Sequence, residues 1–275
     1  MLSFYLIVCG IVSYFIGNVN WAIIISKRNH KDIRNMGSGN PGSLNMGRNL
    51  GLKFGLMTFF LDMLKGAVPS LCVFFIFRGI KFPGSEFMVS DFAVYLCGFC
   101  AVMGHIYPAL LKFKGGKGIA STIGVMIVSN SVYGIGWASV VIMALVAALV
   151  FIYFTEFGAM GSFIAITPPA ISGSIRLFLQ YEQFHDSATA AFTIVTNMLI
   201  FAICFFTWFA HRKNIERMLA GEEHPTSIKG MVVKARAKKL AQKAAAENES
   251  VNTESDNYNT ETNKYNYKDS YNNKK

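Results

Sequence analysis

The feature that most constrains this chain is a series of long, almost uncharged apolar runs. Residues 2–26, 54–77, 92–111, 131–154, 159–178 and 188–210 each approach the roughly 20 residues a membrane-spanning helix requires. Backbone polar groups cannot stay unpaired in hydrocarbon, so such runs fold as helices rather than as open sheet. Only 15% of the 275 residues are charged, against about 25% in an average soluble domain. The sequence therefore predicts an all-α, polytopic helical membrane protein. The first run has no basic residue ahead of it and no small-residue cleavage site. It is read as a retained span rather than a secretion signal.

Charge sets the expected topology. Lys27, Arg28, Lys31, Arg34, Arg48 and Lys53 follow the first run, whereas Arg78, Lys81, Glu86 and Asp91 form a balanced loop. Positive charge returns at Lys112, Lys114 and Lys117, and again at Arg212, Lys213, Arg217, Lys234, Arg236, Lys238 and Lys239. Basic loops stay on the cytoplasmic side. That rule is obeyed throughout only if the shorter apolar segment 119–128 also crosses, as a short or tilted helix. The expectation is about seven transmembrane helices, with the N-terminus out and the C-terminus in. The net charge of +10 is then a consequence of topology, and nucleic acid is not needed to explain it. Residues 1–225 are read as a membrane-embedded domain and 226–275 as a cytoplasmic tail. Within the tail, 230–246 is basic and Ala-rich, either a helix lying on anionic lipid or a solvated segment. From about Glu247 the chain is dominated by Asn, Ser, Thr, Asp, Tyr and Lys, a composition that predicts disorder.

Two loops carry the chemical signal. Between the third and fourth apolar segments stands Phe113-Lys114-Gly115-Gly116-Lys117-Gly118. Clustered glycines mark a loop and let backbone N–H groups approach a ligand. With two lysines and a helix start just behind them, the string fits either a phosphate-sized anion site or a basic loop obeying topology. It lacks the spacing of a P-loop. The other loop, residues 36–51, contains Gly37, Ser38, Gly39, Asn40, Gly42, Asn45 and Arg48. Alternating Gly with Asn and Ser before an Arg favours a ligand loop over a merely flexible one, because a guanidinium can grip phosphate bidentately.

Other polar residues interrupt the spans or border them. Asp62 and Lys65 share a helix face inside the second run, and fit either a functional pair or a structural ion pair. His105 could serve as a base, although a hydrogen-bonded structural role is favoured. His211 and Asn214 are three apart beyond the last run and share a helical face. The cysteines at 9, 72, 97, 100 and 204 all fall in apolar runs, so no disulfide framework is expected and Cys97-x-x-Cys100 is read as helix packing. No histidine spacing matches a zinc site.

Taken in order, these strings resemble the PlsY family of bacterial acyl-phosphate:glycerol-3-phosphate acyltransferases. The resemblance is carried by Gly37-Ser38-Gly39-Asn40-Pro41-Gly42 through Asn45 and Arg48, then by Asp62-x-x-Lys65-Gly66. Gly104-His105-x-Tyr107-Pro108 with the 113–118 loop, and His211-x-x-Asn214-Ile215-x-Arg217, complete it over about residues 1–225. Three departures stand out. Ser43-Leu44 replaces the usual Ala-Thr, Tyr107 replaces a common Phe, and 221–225 matches the usual ending only loosely. The resemblance implies acyl transfer from a fatty acyl phosphate to the 1-hydroxyl of glycerol 3-phosphate, giving lysophosphatidic acid and phosphate. It implies that Ser38, Arg48, Lys117, His211 and Asn214 form the catalytic, phosphate-binding set. Substrate contacts are implied for Gly37, Gly39, Asn40, Gly42, Asn45, Lys65, His105, Lys114, Gly115 and Gly116. Neither metal nor cofactor is expected. The expected partners are glycerol 3-phosphate, acyl phosphate and the lipid bilayer, with the chain acting as a monomer in a bacterial plasma membrane and its site facing the cytoplasm. The alternative is a transporter for an anionic phosphorylated metabolite. It is disfavoured because no internal repeat is evident and the glycine-basic strings lie at one membrane face.

Overall fold

The computed structural model describes residues 1–184, 186–222, 226–237 and 239–243. Two compact units are present, Met1–Lys229 and Gly230–Lys275. The first unit includes Thr226, which is buried. The described residues of the second unit, 230–237 and 239–243, are helical. The disorder expected from about Glu247 lies outside the described residues.

The first unit is a helix bundle. Its elements are α1 (Leu2–Asn18), α2 (Trp21–Arg28), α3 (Ser43–Leu50), α4 (Leu52–Phe77), α5 (Val89–Ile106), α6 (Ile119–Ser131), α7 (Ile135–Thr155), α8 (Gly158–Tyr181), α9 (Ser187–Phe209) and α10 (Arg212–Leu219). Among the described residues, six helical stretches are long and apolar enough to cross a membrane, the first being α1 and α2 taken together. Their outward faces are greasy. On α7, Ile142, Met143, Val146, Leu149 and Val150 are all more than half exposed, which suits contact with lipid tails rather than water.

The 2–26 run is not one helix. Val19 is extended, with φ −66° and ψ 113°, and Asn20 restarts the chain as the N-cap of α2, accepting from the Ile23 N–H at 3.0 Å. A break inside a span must have its freed backbone groups satisfied by protein. Lys65 on α4 does so, its Nζ donating to the Val19 carbonyl at 2.7 Å. Asn18 and Asn20 then use their side chains outward. Asn18 Oδ1 accepts from Leu110 N–H at 3.2 Å, and Asn20 Nδ2 donates to the Pro41 carbonyl at 3.4 Å. The break thus ties the first span to the loop after α5 and to the glycine-rich loop before α3.

At 13 residues, α6 is only about 20 Å long at 1.5 Å per residue, yet it is the inner helix of the bundle. It packs against α4, α5, α7, α8 and α9. Contact with α4 is close enough that Gly66 lies on the backbone of Ser121, and Gly124 on that of Met63. A Cβ at either glycine would collide with main chain, which fixes small residues at this crossing. Polar groups on α6 face protein. Ser121 Oγ donates to the Asp62 carbonyl at 2.9 Å, the Thr122 and Thr207 hydroxyls lie 3.1 Å apart, and Ser172 Oγ donates to Asn130 Oδ1 at 3.0 Å. A helix shielded from lipid on all sides needs neither 20 residues nor uniform apolarity. Its first residue lies beside the basic loop, and just past its far end Tyr133 meets the Phe74 ring near the opposite end of α4. So α6 lies alongside α4 from about Asp62 to Phe74.

Asp91, expected in an outer loop, is instead 1% exposed in the first turn of α5. Arg176 on α8 pairs with it at 3.4 Å and also lies 3.6 Å over the Tyr133 ring. This buried ion pair is at the end of the bundle away from the glycine-basic loops.

Candidate active site

The loop before α3 is built around one asparagine. Gly37 and Gly39 take left-handed φ values of 55° and 68°, a region open to glycine at little cost. The chain then folds back over Asn45, which is 3% exposed. Its Nδ2 lies within reach of the carbonyls of Met36, Asn40 and Ile33 at 2.9, 3.1 and 3.3 Å, while its Oδ1 accepts from Ser38 N–H at 3.2 Å and Asn49 Nδ2 at 2.9 Å. Asn45 therefore serves as the clasp that shapes the loop. What the loop presents outward is Ser38, which is exposed, beside half-buried Asn40 and Gly42.

The second loop is folded onto the end of α5. Gly115 N–H donates to the Ile106 carbonyl at 3.2 Å and Gly116 N–H to that of His105 at 3.1 Å. A Cβ at Gly115 would strike the His105 carbonyl, and one at Gly116 would strike the His105 ring. These glycines thus let the loop lie flat on His105. Left-handed backbone occurs at Lys112 (φ 54°) and Phe113 (φ 59°) as well as at Gly118 (φ 85°). For a non-glycine residue this costs about 1–2 kcal/mol, and the turn aims the following segment back over the bundle end. Lys114 is exposed, whereas Lys117 is half-buried.

Lys117 Nζ donates to Asn214 Oδ1, on α10, and the same oxygen accepts from Arg217 Nη2 at 3.1 Å. One amide oxygen thus gathers a lysine and an arginine whose charges would otherwise repel. His211 stands at the start of α10, 3% exposed, with Nδ1 2.8 Å from the Thr207 carbonyl and its ring edge-on to Phe163. A carbonyl can only accept, so Nδ1 carries the proton and Nε2 is left with a lone pair. Burial, and secondarily the Lys117 charge, lower its pKa to about 4. His211 is therefore neutral near pH 7.

Arg48 lies on α3, with Nη2 donating to Thr226 Oγ1. Thr226 is anchored by its own N–H, which donates to the Glu156 carbonyl at 2.8 Å. Beneath the loops sits a buried cluster. Lys65 Nζ is 2.9 Å from Asp62 Oδ1, and His105 Nδ1 lies 3.8 Å from that same oxygen. Lys65 and His105 are 4% exposed, and Lys65 also holds the α1–α2 break. His105 supports the 113–118 loop from below.

The chain's four motif strings therefore converge at one end of the bundle. A family model described as glycerol-3-phosphate acyltransferase matches residues 7–221. The chain belongs to the glycerol-3-phosphate acyltransferase family. Within it, a glycerol-3-phosphate acyltransferase of Finegoldia magna is 36% identical over 220 residues, covering 80% of this chain and 95% of the relative. One of Aquifex aeolicus is 33% identical over 215 residues, with 78% and 95% covered. Among solved structures, PlsY (YgiH), an integral membrane glycerol 3-phosphate acyltransferase, matches in its glycerol 3-phosphate form. The TM-score is 0.63 at 29% identity, covering 80% of this chain and 95% of that one. Its lysophosphatidic acid form gives 0.61 at 28% identity, with the same coverage.

Thr226, Asn18 and Asn20 were not singled out from sequence. Asparagines within an apolar run were a usable signal, since their side chains compete for backbone groups and favour caps over helix interiors. Thr226 gave none: it stands among ordinary polar residues, and its importance lies in a partner 178 positions away.

Proposed function

We propose that this acyltransferase transfers a fatty acyl group from acyl phosphate to the 1-hydroxyl of glycerol 3-phosphate. The products are 1-acylglycerol 3-phosphate and inorganic phosphate. The observation that carries the reading is the gathering of Lys117, Asn214, Arg217 and neutral His211 at the end of the bundle that also bears Arg48 and the Ser38 loop. That assembly suits two phosphate-bearing substrates, one reaching the site from water and one along the bilayer.

The hydroxyl oxygen attacks the acyl carbonyl carbon, forming the ester C–O bond as the bond from carbon to the phosphate oxygen breaks. Negative charge builds on the departing phosphate, where Lys117 and Arg48 stabilise it. The hydroxyl proton leaves with that phosphate, so a protein base is not needed. This agrees with His211, whose low pKa makes it a weak base and whose Nδ1–H is engaged with Thr207. An acyl-enzyme route has little support, since all five cysteines lie within α1, α4, α5 and α9 rather than on the loops. A mixed anhydride is activated enough to be attacked directly. The site faces the cytoplasm of a bacterial plasma membrane, with α1–α2, α4, α5, α6, α7, α8 and α9 as seven crossings and the N-terminus outside. The chain acts as a monomer.

Purified protein in detergent, given acyl phosphate, should release phosphate only when glycerol 3-phosphate is present, with little turnover of acyl-CoA or acyl-carrier-protein donors. Preference for either of those donors would overturn the donor assignment. Phosphate release without glycerol 3-phosphate would overturn direct transfer. A transporter would release none and would require a sealed vesicle.

A further inference from the structure

Thr226 lies past the 7–221 stretch matched to the family, yet it is 1% exposed. Its seat is specific. Glu156 turns the chain between α7 and α8 with a left-handed φ of 61°, and its carbonyl takes the Thr226 N–H at 2.8 Å. Gly158 forms the floor. A Cβ there would come within 2.6 Å of Thr226 Oγ1 and 3.3 Å of Leu44 Cδ1, so the hydroxyl fits only because residue 158 lacks a side chain. Just beyond, Lys229 Nζ sits 4.5 Å over the Tyr153 ring. The seated hydroxyl accepts from Arg48 Nη2.

We propose that Thr226 is a positioning residue for the acyl-transfer reaction: its seated hydroxyl holds the Arg48 guanidinium in the orientation that receives substrate phosphate. The inference rests on the reading of Arg48 as a phosphate ligand. An arginine side chain is long and rotamer-rich, and its advantage over lysine is a planar fork whose value depends on orientation. One fork nitrogen fixed against a buried hydroxyl sets the plane of the rest, so that orientation is in place before substrate arrives. Thr226 thereby extends the catalytic unit beyond the matched region.

The test is a double-mutant cycle in purified, correctly inserted protein, reading kcat and KM for glycerol 3-phosphate and acyl phosphate. Thr226→Val keeps shape and removes the hydroxyl. It should cost about tenfold in kcat/KM, the scale of one hydrogen bond to a charged group. Thr226→Ser should restore activity to within about twofold. In an Arg48→Ala background, Thr226→Val should cost nothing further, because the group it orients is gone. Gly158→Ala approaches the seat from below with Thr226 intact, should cause a similar loss, and covers the case in which Thr226→Val fails to insert. Near-normal kinetics for Thr226→Val beside a damaged Arg48→Ala would overturn this inference and leave the phosphate-site reading standing. Additive losses across the cycle, or a gain in activity, would also overturn it. Near-normal Arg48→Ala would instead remove the phosphate-site reading, and this inference with it.

Discussion

Lys117→Ala is the sharpest perturbation of the proposed site. The ammonium is half-buried and donates to Asn214 Oδ1, an oxygen shared with Arg217. Truncation leaves the Asn214–Arg217 contact within α10, and buried His211 at the head of that helix still holds the Thr207 carbonyl and packs on Phe163, so the local fold should survive. What is lost is a fixed positive charge next to the developing phosphate. Removing one such preorganised group costs about 2.7–4 kcal/mol, or roughly a hundred- to thousandfold in kcat. Lys114→Ala supplies the control. Lys114 is exposed three residues earlier on the same loop, where an isolated surface charge is worth about 0–1 kcal/mol, so its loss should cost under about tenfold. Asn214→Ala separates charge from posture, because it keeps the ammonium but frees it to move. Its effect should fall between the other two. The assay is steady-state phosphate release with both substrates varied, on monodisperse protein whose melting temperature is followed in parallel. Near-normal kcat for Lys117→Ala would refute the assignment. Equal losses in Lys117→Ala and Lys114→Ala would show that the loop acts through summed charge, and the geometric reasoning would be wrong.

Other consequences follow from the buried groups and the bundle ends. Because the His211 pKa is depressed to about 4 from the ordinary imidazole value of about 6.5, the unfolded chain binds the extra proton first as pH falls. Stability conferred by neutral His211 is thus complete above about pH 6.5 and lost towards pH 4, by about 3 kcal/mol at most. Melting temperatures of wild type and His211→Gln across that window should converge at acid pH, and parallel curves would contradict this. Arg176→Met leaves Asp91 buried without its cation and should destabilise by about 3–5 kcal/mol, whereas adding Asp91→Asn should recover most of the loss; no recovery in thermal melts would mean the pair is not coupled. Cysteines placed singly at positions 49 and 230 of a cysteine-free protein should be labelled from inside and one at position 85 from outside; external labelling at 230 would show that α6 does not cross.

Much of this protein was legible one residue at a time. Six apolar runs dictate membrane helices because the penalty for unpaired backbone in lipid is local and additive. The glycine-basic strings pointed to one end of the bundle because loop charge obeys topology. Tertiary structure decided what depends on partners distant in sequence. The segment at 119–128 was ambiguous by length, and only the surrounding helices make α6 an interior element whose Ser121, Thr122 and Asn130 are satisfied. Asp91 reads as a loop charge in sequence, and only the fold brings Arg176, far along the chain, beside it. Resemblance implied substrate contacts for Asn45 and Lys65; only the fold shows that their side chains also hold a loop and a helix break. A residue type specifies which hydrogen bonds and charges are available, whereas the fold determines which neighbours remain to receive them. That is why Ser38 faces outward from its loop while Thr226, past the matched region, is buried against Arg48.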